Sequence, residues 1–314
     1  LKVLWGSQAF GTAGPQSDTD VRGVCIPPAR YLIGLSHFDQ AEDAATDTVI
    51  YSLAKFVTLA LANNPNMLDI LWADPRHVLY ADVYGQALQA TRREFLSRRV
   101  AKTYAGYADD QMKRMETHYR WLHNPPDHQP APPEFGAMSN ATGGFRFPDT
   151  QKERAYRAAL KHWQNYQSWR ANRHPERAAL EALHGYDTKH AAHLLRLYRM
   201  GIEILSEQVV RVRRPDAAWL REVLGGRYSY DELMALVASL RRELAEAAAG
   251  SALPAEPDGA AVEALVVELQ RRALGDARFD PVLMRAQVPI GPDGVICLVE
   301  QPLPLTASVH SIPA

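Results

Sequence analysis

The apolar pattern of this chain changes period at about residue 50, and that change does most to limit its fold. Before it, apolar residues come in short runs cut by glycine and proline. "KVLWGS" ends at Gly6-Ser7, "DTDVRGVCI" alternates and stops at Pro27-Pro28, and "DTVIYSL" opens with β-branched residues. Such runs read as strands and turns. After it, Leu53, Phe56, Val57, Ala60 and Leu61 recur at helical spacing and share one face. That helix is expected to stop at "NNPN", residues 63–66, before a short helix through Leu68, Leu71 and Trp72.

From about residue 86 the pattern is mainly helical. One helix is expected over 86–122, followed by a long Pro-rich loop, "HNPPDHQPAPPEFGAMSNATGGFRFP". Helices resume near Gln151 and run to about Gln208, interrupted at His174-Pro175 and at "HGYD". A further helical pair lies between Tyr230 and Leu274, broken at "SALPAEPDG". The expected organisation is therefore a strand-bearing domain over 1–85, a helical domain over 86–274 and an irregular, partly β tail over 275–314.

Charge excludes one simple reading. The formal net charge is −1 over 314 residues, so no global basic field advertises nucleic acid, and any such surface must be local. Hydrophobic residues at 46% suit a chain able to bury a sizeable core. Two cysteines, Cys25 and Cys297, build no disulfide framework or Cys-rich zinc site, which fits a reducing compartment. No apolar run approaches the ~20 residues that span a bilayer, and no signal-peptide pattern is visible. A cytoplasmic location without membrane contact is expected.

The chemistry concentrates in "LWGSQAFGTAGPQSDTDVRGV". On a strand, Asp18 and Asp20 would point the same way. Two carboxylates on one face repel unless a cation sits between them, and Mg²⁺ takes one or two carboxylates plus substrate phosphates. Gly6-Ser7 supplies the complement, since glycine lets the backbone approach a phosphate and the following amides can cradle it. A solvated "SDTD" turn capping a helix explains the carboxylates but not the upstream Gly-Ser.

Gly-Ser, a spacer and Asp-x-Asp resemble the signature of the DNA polymerase beta nucleotidyltransferase superfamily. Within it, the chain is similar to RNA ligase-associated, RNA-repair nucleotidyltransferases, through "YSLAKFVTLALANNPNMLDILW", "YAGYADDQMKRM", "HGYDTKHAAHLLRLYRMGIEIL" and "VRRPDAAWLREVLGGRYSYDEL" as well. The resemblance covers about residues 4–270. It implies an α+β fold: a small mixed-sheet polymerase-beta-like nucleotidyltransferase domain, then a mainly helical domain. It also implies three carboxylates, with Asp18 and Asp20 matching the first two. Asp47 is the choice for the third, with Asp39, Glu42 and Asp43 as rivals. These would hold Mg²⁺, or Mn²⁺ in its place, and move a nucleoside monophosphate from an NTP to a hydroxyl, most readily an RNA end. Two other readings stay open: a protein acceptor, as in toxin–antitoxin members of the superfamily, and a non-catalytic nucleotide-binding module. Arg22 is placed to reach a phosphate or to lie on the surface.

In "HGYDTKHAAHLLRLYRMGIEIL", Asp187 is a plausible N-cap, and Lys189, His193 and Arg196 stack on one face. With the resemblance, Lys189 and His193 become candidate nucleotide contacts; without it, they read as a solvated basic stripe and a core-edge histidine. A zinc site of His184, His190 and His193 lacks the His-Glu-x-x-His pattern and is not expected. Tyr104, Tyr107 and Trp121, interleaved with basic residues, are compatible with a base-stacking groove or with helix packing.

Overall fold

The computed structural model describes residues 1–15, 17–140, 143–173 and 175–276. The chain divides into two compact units. One takes 1–105, 198–218 and the described part of 242–314; the other takes 106–197 and 219–241. The chain thus returns to its first unit twice, whereas the sequence suggested boundaries after residues 85 and 274. The tail expected over 275–314 lies outside the described residues from 277 onward.

The first unit opens with β1 (Lys2–Trp5), α1 (Gly6–Phe10), β2 (Asp20–Cys25), α2 (Ala29–Leu32), β3 (Gln40–Asp43) and β4 (Thr48–Ser52). Next come α3 (Leu53–Leu61), α4 (Pro65–Leu71), β5 (Val78–Tyr80) and α5 (Val83–Ala90). The strands form one sheet in the order β3-β4-β2-β1-β5. β2 and β4 run parallel, while β1–β2, β1–β5 and β3–β4 are antiparallel, so the sheet is mixed as the resemblance implies. β3, sequence "QAED", was not foreseen, because an exposed polar edge strand shows no apolar alternation.

α3 begins where Ser52 caps it, the side-chain oxygen accepting from the Lys55 amide at 3.2 Å. It buries Leu53, Phe56, Val57 and Ala60, the predicted face except for half-buried Leu61. Burial of such side chains is worth roughly 1.5–3 kcal/mol each for the large ones. α3 packs against β2 and β4, the strand that begins at Asp20 and the strand that follows Asp47.

"NNPN" does more than stop a helix. Asn63 takes φ +54°, a conformation asparagine tolerates better than most residues, and is fully buried. Its amide donates to Phe95 O at 2.5 Å and Ala60 O at 3.3 Å, while Ser97 Oγ donates to Asn63 Oδ1 at 2.7 Å. Asn64 then caps α4 by accepting from Asn66 N at 2.9 Å, with Pro65 in the first turn. Asn63→Ala would strain the backbone and leave Ser97 Oγ without that acceptor. A loss of about 2–4 kcal/mol is expected, read as a lower midpoint in urea or thermal unfolding.

The helix expected over 86–122 is two helices. α5 ends at Ala90, Arg92–Phe95 form a 3₁₀ turn, and α6 runs from Arg99 to His123. The break delivers Phe95 O and Ser97 to Asn63. β6 (Met138–Ser139) and β7 (Phe145–Arg146) make a small ribbon inside the Pro-rich loop. The remaining helices are α7 (Thr150–Ala171), α8 (Pro175–His184), α9 (Thr188–Glu207), α10 (Ala217–Leu224), α11 (Tyr230–Gly250) and α12 (Gly259–Asp276). The interruptions at "HGYD" and "SALPAEPDG" fall as expected; α10 was not anticipated.

In the first unit, the segment after α9 is pinned to α1. Arg214 is 4% exposed and donates to Glu203 Oε1 at 3.3 Å and Asp216 Oδ1 at 2.9 Å. Its backbone amide donates to Phe10 O at 3.1 Å. In the second unit, Tyr186 is fully buried and its hydroxyl donates to Tyr228 O at 2.7 Å, while Tyr119 stacks on Tyr230 with centroids 4.1 Å apart.

Candidate active site

Strand register brings the acidic residues together. β1 and β2 pair with Trp5 opposite Asp20, so the end of β1 that feeds α1 lies beside the start of β2. β4 pairs with β2, Val21 opposite Thr48, and the Val21 amide donates to Asp47 O at 3.1 Å. Asp47, one residue before β4, therefore comes alongside Asp20. Asp18 lies in the loop two residues upstream. One oxygen from each of Asp18, Asp20 and Asp47 lies within 4.8 Å of the other two.

Two local expectations need correction. β2 begins at Asp20, so Asp18 is not on a strand and shares no strand face with it. β1 ends at Trp5, and upstream of Asp20 there is no ladder partner. Gly6 and Ser7 do not lie in a turn either. They open the five-residue α1, which ends at Gly11 with φ +76° and closes by Thr12 and Ala13 amides donating to Ser7 O. Trp5 provides no side-chain cap, so the first-turn amides of α1 have no capping side-chain acceptor.

Gly6 is dictated twice. It takes φ +67°, and a Cβ there would stand 2.0 Å from Asp20 Oδ2. The carboxylate thus occupies the space that any other residue would fill. Ser7 Oγ is buried and has no hydrogen-bond partner among the described residues.

The charges are arranged unequally. Burial, then the hydrogen bond and charge of Asp47 and the charge of Asp18, push the Asp20 carboxyl up to about 6, with Arg22 pulling the other way. Asp47 is held below its ordinary value by the hydrogen bond from Asp20 and by Arg22. Arg22 Nη1 donates to Asp47 O at 2.6 Å and Val21 O at 2.9 Å, and Nη2 donates to Asp47 Oδ1 at 3.1 Å. Its guanidinium lies 4.9 Å from the Trp5 ring centroid. The structure thus places Arg22 on Asp47, as a positioning group.

The rival carboxylates are engaged elsewhere. Asp43 accepts from Ala45 N at 2.9 Å and Thr46 Oγ1 at 2.7 Å. Asp39 faces His37 at 2.9 Å and Lys55 at 3.5 Å, which also places Lys55. Glu42 accepts from Gln40.

Lys189 and His193 lie in the second unit, on α9. Asp187 caps that helix, its Oδ1 accepting from the Lys189 and His190 amides at 2.9 and 3.0 Å. Lys189 is exposed. Burial, then Arg196, His190, Arg114 and Lys189, press His193 down to about 3, so its ring is neutral amid cations. Arg196 is 4% exposed. Tyr104 and Trp121 are buried in their respective units, so neither belongs to a base-stacking groove. Arg214 escaped the sequence reading; its signal was "VRRPDAAWL", whose Arg-Asp pair is local while the Arg214 amide ties the segment to the end of α1.

The sequence profile of the RNA repair pathway DNA polymerase beta family, RlaP, matches residues 1–254. The chain belongs to this RNA-repair family. RlaP membership agrees with the mixed sheet, the Gly-Ser start of α1 and the acidic trio, and it supports a nucleotidyltransferase-like role. A curated relative is an uncharacterized 38.9 kDa protein of Enterobacteria phage T4, 31% identical over 127 residues. That match covers 36% of this chain and 38% of the phage protein, so the chain spans well under half the length of that relative. No solved structure matches the chain. No helix among the described residues is long and apolar enough to cross a membrane.

Proposed function

We propose that this RlaP protein transfers a nucleoside monophosphate from an NTP to a hydroxyl of an RNA end, with Mg²⁺ as its cofactor and Mn²⁺ as a substitute. One observation carries the reading: the Asp18, Asp20 and Asp47 carboxylates converge beside a glycine that has no room for a side chain. The donor set fits a hard divalent cation, because three carboxylates bring oxygen donors within 4.8 Å of one another and a cation relieves their repulsion. Asp18, Asp20 and Asp47 would hold it, and once bound it supplies Lewis acidity and neutralises phosphate charge.

The chain's own groups do the rest. The α1 backbone at Gly6 and the Ser7 hydroxyl receive triphosphate oxygens, filling the empty hydrogen-bond position of Ser7. Arg22 keeps Asp47 in place. The acceptor oxygen bonds to the α-phosphorus as the bond to the bridging oxygen breaks, and pyrophosphate leaves with that electron pair. The hydroxyl proton passes to solvent.

The test is incubation with α-labelled NTPs and Mg²⁺, first with RNA and then with cell lysate. Label that RNase removes supports an RNA acceptor. Label that survives RNase but yields to protease points to a protein acceptor. No label under either condition leaves only the non-catalytic reading.

A further inference from the structure

The second unit contains a cluster that the acidic site does not use. His118 on α6, Glu181 on α8, and Asp187 with His190 at the start of α9 meet side by side. We propose that His118, Asp187 and His190 form a binding site for a transition-metal ion of the zinc type, with Glu181 beside His118.

The spacing is the first argument. His118 Nδ1 lies 3.5 Å from Glu181 Oε1 and 3.8 Å from Asp187 Oδ2, and His190 Nε2 lies 3.5 Å from the same Asp187 oxygen. Bonds of ~2.0–2.1 Å to a tetrahedral ion put neighbouring ligand atoms about 3.4 Å apart. One donor atom from each of His118, Asp187 and His190 already lies within 4.8 Å of the other two, so modest side-chain closure brings them around one ion. Asp187 and His190 are three residues apart, so one helical turn offers an acid and an imidazole on one face, a pattern helical bundles use for metals.

The second argument is what holds the other end of each ligand. His190 Nδ1 lies 2.8 Å from Gln111 Oε1, which turns Nε2 toward Asp187. Asp187 Oδ1 accepts from two backbone amides while Oδ2 faces the histidines. Arg173 grips Glu181 Oε2, and Oε1 faces His118. His118 is fixed by Trp121 and Trp169, with ring centroids 5.7 and 5.4 Å away. Outer partners of this kind set the tautomer and direction of a ligand.

The third argument is an atom without a hydrogen bond. His118 Nδ1 is shielded from solvent and makes none among the described residues, although two carboxylates, each 3% exposed, face it. Arg173 meets the far oxygen of Glu181 and two amides meet Asp187 Oδ1, which leaves the near oxygens facing the imidazoles. A cavity of about 250 Å³, lined by His118, Trp169, Arg173, Glu181 and Asp187, gives an ion and a water a way in.

The experiment uses the full chain carrying Asp18→Asn and Asp20→Asn, which removes the acidic trio as a competing cation site. The protein is stripped with chelator and titrated with Zn²⁺, followed by metal analysis after desalting and by thermal melting. Retention of one zinc per chain with a higher melting midpoint is the expected result. Gln111→Ala should weaken binding about 10- to 100-fold while keeping the fold. Adding His118→Ala and His190→Ala should abolish retention. Because that last variant is a candidate for misfolding, Co²⁺ is added to the parent protein as well, where visible bands of a four-coordinate ion are expected. Absence of stoichiometric zinc, zinc binding unchanged by Gln111→Ala, or zinc retained without both histidines would each overturn the site. No readout depends on nucleotidyl transfer, so this outcome is independent of the proposed function.

Discussion

Asp20→Asn is expected to abolish transfer, with a loss of at least about a thousandfold, the size that several kcal/mol of lost metal-borne stabilisation implies. The same substitution should not weaken the fold, and the sign follows from the charges. Burial and its two acidic neighbours raise the folded-state pKa of Asp20 from 3.8 to about 6. A raised carboxyl binds its proton more tightly in the folded chain than in the unfolded one. Without a divalent cation, stability from this group is therefore present at low pH and lost as pH rises through that interval. Asparagine cannot ionise, so in chelator above pH 6 the variant should melt no lower than the parent. Labelled-NTP assays and melts across pH 4–8 check both halves. A variant that keeps its activity would remove Asp20 from the chemistry. One that melts well below the parent would make Asp20 a structural residue.

Gly6→Ala is expected to remove activity almost as completely, by a different route. A Cβ at residue 6 would sit 2.0 Å from Asp20 Oδ2, so the carboxylate must leave its position beside Asp47 and Asp18. The residue would also be forced to keep φ +67°, which costs about 1–2 kcal/mol for a non-glycine residue. Gly11→Ala separates the two effects. Gly11 has φ +76°, but a Cβ there would meet only Ala217 at 3.6 Å and Arg213 at 3.9 Å, ordinary contacts. It should show a comparable loss of stability with most activity retained. Parallel melts and transfer assays decide this. Equal loss of activity in both variants would mean that bending α1, not displacing Asp20, is what matters.

How much of this was legible in the sequence depends on the range of each interaction. The apolar face of α3, its stop at "NNPN" and the cap at Asp187 were readable, because each rests on residues within about two turns of one another. Gly6, Ser7, Asp18 and Asp20 could be singled out because their motif is local. Asp47 could be named only through the resemblance, since Asp39, Glu42 and Asp43 satisfy the same local pattern. The parallel pairing of β2 with β4 separates it from them, and sequence spacing does not encode that pairing. The break between α5 and α6 was equally hidden, because its partner is the side chain of Asn63.

Arg22 illustrates the limit from the other side. Its charge suited a phosphate, yet it spends its donors on Asp47, twenty-five residues away. The histidines do so again: His184, His190 and His193 are neighbours in sequence, but His190 meets His118 on another helix. The chain by itself determined most of the elements, the glycine that opens α1 and the supply of acidic groups, all consequences of backbone preference and side-chain periodicity. Only the tertiary structure decided which of those groups meet, because strand register and helix packing set distances between residues that the chain order leaves independent.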